Sequence, residues 1–175
     1  MKCEIMNLKE IKNIGFIGLG VMGSPMCKNL VKNKQWHIIV HDLDNSKEKE
    51  LEKNGASIAK NLNELFNVAD MIITCLPGGD FVKEIYFGEK KIVSEINPDK
   101  LIIDMSTSQP DLMIELNKLI TKKGSFFADA PIARTIMCHC LFLSRFLHIG
   151  LPITPKPTKP IFLITFKFII SHFIC

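Results

Sequence analysis

The stretch "IGFIGLGVMG", residues 14–23, decides the reading of this chain. A short apolar run closes on glycine, and beyond it Met22, Met26, Leu30 and Val31 recur at helical spacing. The segment reads as a buried strand, a tight turn and a helix. Gly18, Leu19, Gly20, Val21, Met22 and Gly23 fill the turn with the pattern G-x-G-x-x-G. In that pattern the first glycine allows the sharp turn and the second lets backbone approach a pyrophosphate. The third lets helix and strand pack closely. The helix start adds unpaired N–H groups that favour an anion.

The next strand, "HIIVHD" at 37–42, ends on Asp42, 19 residues after Gly23. A carboxylate there bonds ribose hydroxyls and repels a 2′-phosphate. Leu43 follows with no Arg beside it, so the pattern favours NAD, with NADP as the alternative that Lys47 would assist. Outside such a pattern, a glycine-rich turn followed by an incidental Asp is the plainer reading; strand, helix and Asp together displace it.

Further along, "ASIA", "DMIITCLP" at 70–77, "KLIIDMST" at 100–107 and "SFFADAP" read as four more apolar strands. Helical stretches separate them. "NSKEKELEKNG" is a charged helix with Asn45 or Ser46 as its cap, and "NLNELFNVA" starts at Asn61. "DFVKEIYFGEKKIVSEI" is helical but broken near Gly88. "SQPDLMIELNKLITKKG" offers Ser108 as cap, Pro110 in the first turn and Gly124 at the end. Six apolar strands alternating with helices predict an α/β fold, a doubly wound parallel sheet covered on both faces. No internal repeat of fixed period is present.

Charge is distributed unevenly. Residues 1–130 hold 17 Lys and all 18 Asp and Glu, whereas residues 131–175 hold Arg134, Arg145, Lys156, Lys159 and Lys167 and no acid. The net charge of +4 therefore belongs to the tail and is no argument for a nucleic-acid partner. The charged N-terminus lacks an apolar signal core, and Cys3, Cys27 and Cys75 stand singly. Both point to a reduced, cytoplasmic setting, with an organelle as the alternative.

"GFIGLGVMGSPMCKNL", "DMIITCLPGG", "LIIDMST" and "FFADAPIART", in this order, resemble the β-hydroxyacid dehydrogenases over residues 13–135. That family takes in 3-hydroxyisobutyrate dehydrogenase, tartronate semialdehyde reductase and 6-phosphogluconate dehydrogenase. The resemblance implies a Rossmann domain binding NAD or NADP at Gly18–Gly23 and Asp42. It implies that Leu76 and Pro77 line the cofactor, and that Ser106 and Thr107 sit beside nicotinamide and substrate. Taken alone, Leu76-Pro77 is a strand-ending turn and Ser106-Thr107 a helix cap. Where many members read "DAPVSGG", this chain has Ala133, Arg134 and Thr135. Arg134 is either a bidentate partner for a substrate carboxylate or an exposed basic residue.

The resemblance also implies a general acid/base lysine in a "G-x-G-x-x-x-K-x-x-N" segment, and a helical second domain. Neither occurs in residues 1–175. The expected organisation is an extension (1–12), a cofactor domain (13–135) and a tail (136–175) translated from non-homologous sequence. By itself such a chain is expected to bind dinucleotide without turnover, a small β-hydroxyacid being substrate only in an intact relative. The alternative is a non-catalytic dinucleotide-binding module or sensor. In the tail, "IFLITFKFIISHFIC" is 15 residues long, short of the roughly 20 that span a bilayer. Cys138, His139, Cys140 and His148 lack the spacing of a zinc site. "PITPKPTKP" reads as a stiff extended linker.

Overall fold

In the computed structural model, residues 11–89 and 92–132 are described. Arg134 and the tail lie outside the described residues, as do residues 1–10 of the N-terminal extension.

Six strands and six helices follow one another along the described residues, with the fourth and fifth helices adjacent. They are β1 (Asn13–Ile17), α1 (Gly23–Asn33), β2 (His37–His41), α2 (Asn45–Lys53), β3 (Ser57–Ile58) and α3 (Leu62–Val68). These are followed by β4 (Met71–Thr74), α4 (Gly79–Phe87), α5 (Ile92–Glu95), β5 (Leu101–Asp104), α6 (Pro110–Lys122) and β6 (Phe126–Asp129). The strands form one sheet in the order β3-β2-β1-β4-β5-β6, with every pairing parallel. That order is the dinucleotide-binding arrangement, whose direction reverses between β1 and β4.

β1, β4 and β5 carry apolar residues on both faces because helices cover both. One core cluster gathers Ile14, Phe16, Cys27, Leu30, Ile38, Val40 and Leu51. The other gathers Leu65, Ile72, Tyr86, Ile102, Leu116 and Ile120 on the opposite face. Each fully buried Leu or Ile contributes about 2 kcal/mol from the area it removes from water. Ile11 joins the first cluster, and the Asp70 carboxylate accepts from the Lys12 and Asn13 N–H groups at 2.9 and 2.8 Å. Ile11 and Lys12, just ahead of β1, are therefore part of the packed unit.

The local signals hold with two corrections. Asn61 caps α3 as expected, accepting from Glu64 N–H at 2.9 Å. α2, however, is capped by Asp44, whose extended backbone frees its carboxylate to accept from Ser46 N–H; Asn45 already lies in the helix. At α6 the N-cap position is Gln109, with Pro110 opening the helix and no side-chain cap. Ser108 turns its hydroxyl 3.4 Å from Asp104 instead. The break near Gly88 separates α4 from α5, and Gly124, at φ +82°, follows the end of α6.

Candidate dinucleotide site

The carboxyl ends of β1, β2, β4 and β5 lie side by side, so every predicted cofactor residue falls on one edge of the sheet. Backbone pairing continues just past the strands: Gly18 N–H donates to His41 O, Cys75 N–H to Ile17 O, and Met105 N–H to Thr74 O. The loops start from a fixed platform.

The three glycines meet three different surroundings. Gly18 has φ +95°, and a Cβ there would sit 2.3 Å from the Cys75 carbonyl oxygen. At Gly23 a Cβ would sit 2.0 Å from the Gly18 carbonyl oxygen. Both are demanded by the protein itself. At Gly20 a Cβ would meet nothing within 4 Å. Its lack of a side chain is not explained by packing, and it leaves open the approach to the helix start.

That helix start is suited to an anion. α1 has no side-chain cap on its N–H groups and no acid in its first turn. Each of the other described helices has an Asp or Glu there: Glu48, Glu64, Asp80, Glu95 and Asp111. An acid at that point in α1 would compete with a phosphate for the same positive end of the helix dipole. Leu19 is buried and anchors the loop, whereas Val21 and Met22 are exposed on its rim.

Asp42 sits half-buried at the end of β2. One carboxylate oxygen accepts from Leu19 N–H and the other from Asp44 N–H at 2.8 Å. Asp42 is thus tied to the glycine loop. Each oxygen keeps a further lone pair for a hydroxyl donor. Leu43, beside it, is exposed.

On the other side of β1, Leu76 and Pro77 leave β4 while Ser106 and Thr107 leave β5. Asp104, wholly buried at the end of β5, joins these loops. Its Oδ1 accepts from Thr74 Oγ1 and Ser106 Oγ, both at 2.6 Å, and from Ser106 N–H at 3.2 Å. Ser106 Oγ in turn accepts from Leu76 N–H at 3.0 Å. Ser106 is 1% exposed, so its hydroxyl braces the two loops from beneath while Pro77 and Thr107 are exposed above. Burial, then the Asp104 charge, pushes the Cys75 thiol up to about 11, which keeps it protonated near neutral pH.

Two residues of this edge were not singled out from sequence, Asp104 and Glu48. The signal for Asp104 was an acid closing an otherwise apolar strand. Glu48 is buried, accepts from Asp42 N–H at 2.9 Å and shares the inner face of α2 with Leu51. Its signal was an acid one helical turn before the only apolar residue of that helix. Among the described residues no cluster of three or more His, Cys, Asp or Glu is placed to hold a metal ion. No described helix is long and apolar enough to cross a membrane.

Comparison with known proteins agrees with this geometry. Residues 13–136 match the family model for the NAD binding domain of 6-phosphogluconate dehydrogenase. The chain is 39% identical over 120 residues to mouse mitochondrial 3-hydroxyisobutyrate dehydrogenase, covering 69% of this chain and 36% of that protein. It is 40% identical over 126 residues to 3-sulfolactaldehyde reductase of Escherichia coli, covering 70% of this chain and 41% of the other. The chain thus spans well under half the length of these curated relatives. Among solved structures it resembles Mycobacterium tuberculosis 3-hydroxyisobutyrate dehydrogenase with L-serine, at TM-score 0.63 and 29% identity, over 70% of this chain and 41% of that one. An imine reductase from Myxococcus stipitatus in complex with NADP+, 21% identical at TM-score 0.60, shares the fold, over 67% of this chain and 39% of its own. The parallel sheet, the glycine turn and the family match over most of the chain place it in the NAD-binding domain family of 6-phosphogluconate dehydrogenase, the cofactor domain of the β-hydroxyacid dehydrogenases.

Proposed function

We propose that this chain binds NAD(H), with NADP(H) as the weaker ligand, as the cofactor part of an oxidoreductase acting on a small β-hydroxyacid. The observation that carries this reading is the open space at Gly20 between two glycines that packing alone requires. It lies at the uncapped, acid-free start of α1. Gly18–Gly23 would hold the pyrophosphate, and Asp42 would accept from the adenosine ribose hydroxyls. The other half of the dinucleotide would then cross the switch point toward Leu76, Pro77 and Thr107, with Ser106 bracing that wall.

When bound, nicotinamide supplies a hydride acceptor or donor: a hydride, two electrons with one proton, leaves the hydroxyl-bearing carbon while the hydroxyl proton leaves separately. This chain's residues would position the ring and exclude one face from water. Arg134 is proposed as a partner for a substrate carboxylate. The relatives named for 3-hydroxyisobutyrate and 3-sulfolactaldehyde support a small anionic substrate, a carboxylate in one and a sulfonate in the other, with an alcohol or aldehyde as the reacting group.

A second reading, for residues 1–175 taken by themselves, is dinucleotide binding without turnover, since these residues hold no "G-x-G-x-x-x-K-x-x-N" segment. Such a lysine would carry the proton. Calorimetric titration of the chain with NAD+ and NADP+, alongside a rate assay with 3-hydroxyisobutyrate, tests both readings. Saturable NAD+ binding is expected, and Asp42→Ala should weaken NAD+ by about tenfold, the scale of losing hydrogen bonds to a charged acceptor. The same change should weaken NADP+ less. Absence of binding, or an equal loss for the two cofactors, contradicts the site; sustained turnover contradicts the second reading.

A further inference from the structure

We propose that Glu48 is a specificity-determining residue at the adenosine end of the site, holding Asp42 in place and adding a buried negative charge against a 2′-phosphate. This rests on the dinucleotide reading above.

Glu48 lies six residues after Asp42 in the first turn of α2 and is only 6% exposed. An acid gains from the helix dipole there without being buried, and burying a carboxylate costs free energy unless donors surround it. The donor here is the Asp42 N–H, just past the end of β2. Glu48 Oε1 accepts from Asp42 N–H at 2.9 Å and lies 3.2 Å from His41 Nδ1. Asp42 in turn uses its carboxylate on Leu19 N–H. A continuous chain of contacts therefore runs from the glycine loop through the Asp42 carboxylate and backbone to Glu48. Releasing Glu48 frees the peptide plane that aims Asp42.

The second role is charge. The ionisable groups around this end of the site are Asp42, Asp44, Glu48, His41 and Lys47. Lys47 Nζ is already 3.7 Å from Asp44 Oδ2, and His41 Nδ1 lies 3.2 Å from Glu48 Oε1. A 2′-hydroxyl donates into such surroundings, whereas a 2′-phosphate brings about two negative charges. Buried charges are screened by salt less than exposed ones.

Two substitutions separate the roles, read by calorimetric titration of the full chain with NAD+ and NADP+. Glu48→Gln keeps a carbonyl oxygen for Asp42 N–H and removes the charge. NAD+ affinity should stay within about twofold while NADP+ tightens about fivefold, the scale of one partly screened repulsion across several ångströms. Glu48→Ala removes the acceptor as well and should weaken NAD+ about fivefold, a loss that Gln avoids. The NAD/NADP ratio is the readout that a merely structural role would not move. An unchanged ratio in Glu48→Gln overturns the proposal, as does an equal loss of both cofactors in both variants. If Glu48→Ala fails to fold, Glu48→Gln decides alone. If the unmodified chain binds neither dinucleotide, the functional reading itself fails and takes this inference with it.

Discussion

Replacing Gly20 and Gly23 in turn by Ala separates a glycine kept for a ligand from one kept for the fold. At Gly23 the new Cβ would lie 2.0 Å from the Gly18 carbonyl oxygen. Ordinary contact is more than an ångström longer, and the obstacle is backbone, so α1 or the loop must move. Overpacking of this kind costs about 3 kcal/mol, which lowers the melting temperature by about 10 °C in a domain of this size. At Gly20 the Cβ meets nothing within 4 Å, and the residue lies outside the positive-φ positions. Gly20→Ala should therefore change stability by no more than about 0.5 kcal/mol, the usual range for a surface substitution. Its effect should fall on binding, because the methyl occupies the space through which a pyrophosphate reaches the N–H groups of the loop. Losing one or two charge-assisted hydrogen bonds weakens binding by about 10- to 100-fold. Thermal unfolding followed by circular dichroism, paired with titration by NAD+, reads both quantities on the same samples. The reasoning is refuted if Gly20→Ala binds NAD+ as the unmodified chain does, or if it melts as early as Gly23→Ala.

Ser106→Ala removes the acceptor of Leu76 N–H and should cost about 1–2 kcal/mol of stability. NADH affinity should fall while ADP-ribose, which lacks the nicotinamide ring, binds nearly as before; parallel losses for the two ligands would show that the brace does not act on the nicotinamide side. A pH prediction follows from Cys27, wholly buried in the core, whose thiol burial pushes up to about 12 from 9.0. The folded chain holds this proton more tightly than the unfolded one, so stability is retained below pH 9 and falls as pH rises from about 9 toward 12. Burial and the Asp104 charge push Cys75 the same way. Urea midpoints measured across that window should decline, and Cys27→Ala should flatten the decline; an identical slope in the variant would contradict the assignment.

The strands were legible because each is a short run of mostly apolar residues bounded by polar or turn-forming ones, a pattern set by neighbours in sequence. The glycine turn was legible for the same reason, since G-x-G-x-x-G states a local backbone requirement. Asp42 needed only its place at the end of the second strand. Cap assignment was less secure: Asp44, Asn45 and Ser46 are all good cap residues, and only the backbone angles choose Asp44. Ser106 shows the larger gap. Its place beside the cofactor was expected, but its partners, Asp104 and the Leu76 N–H, include one 30 residues away in the loop after another strand.

The amino-acid sequence by itself determined the α/β alternation, the glycine turn and the position of Asp42, because propensity, periodicity and turn chemistry act over a few residues. Tertiary structure alone decided that β1 lies between β2 and β4, and hence which loop ends meet. It alone turned Asp104 into a buried tie between two loops and Glu48 into the partner of Asp42. A buried carboxylate takes its meaning from the donors that surround it, and those donors arrive from distant segments only when the sheet has assembled.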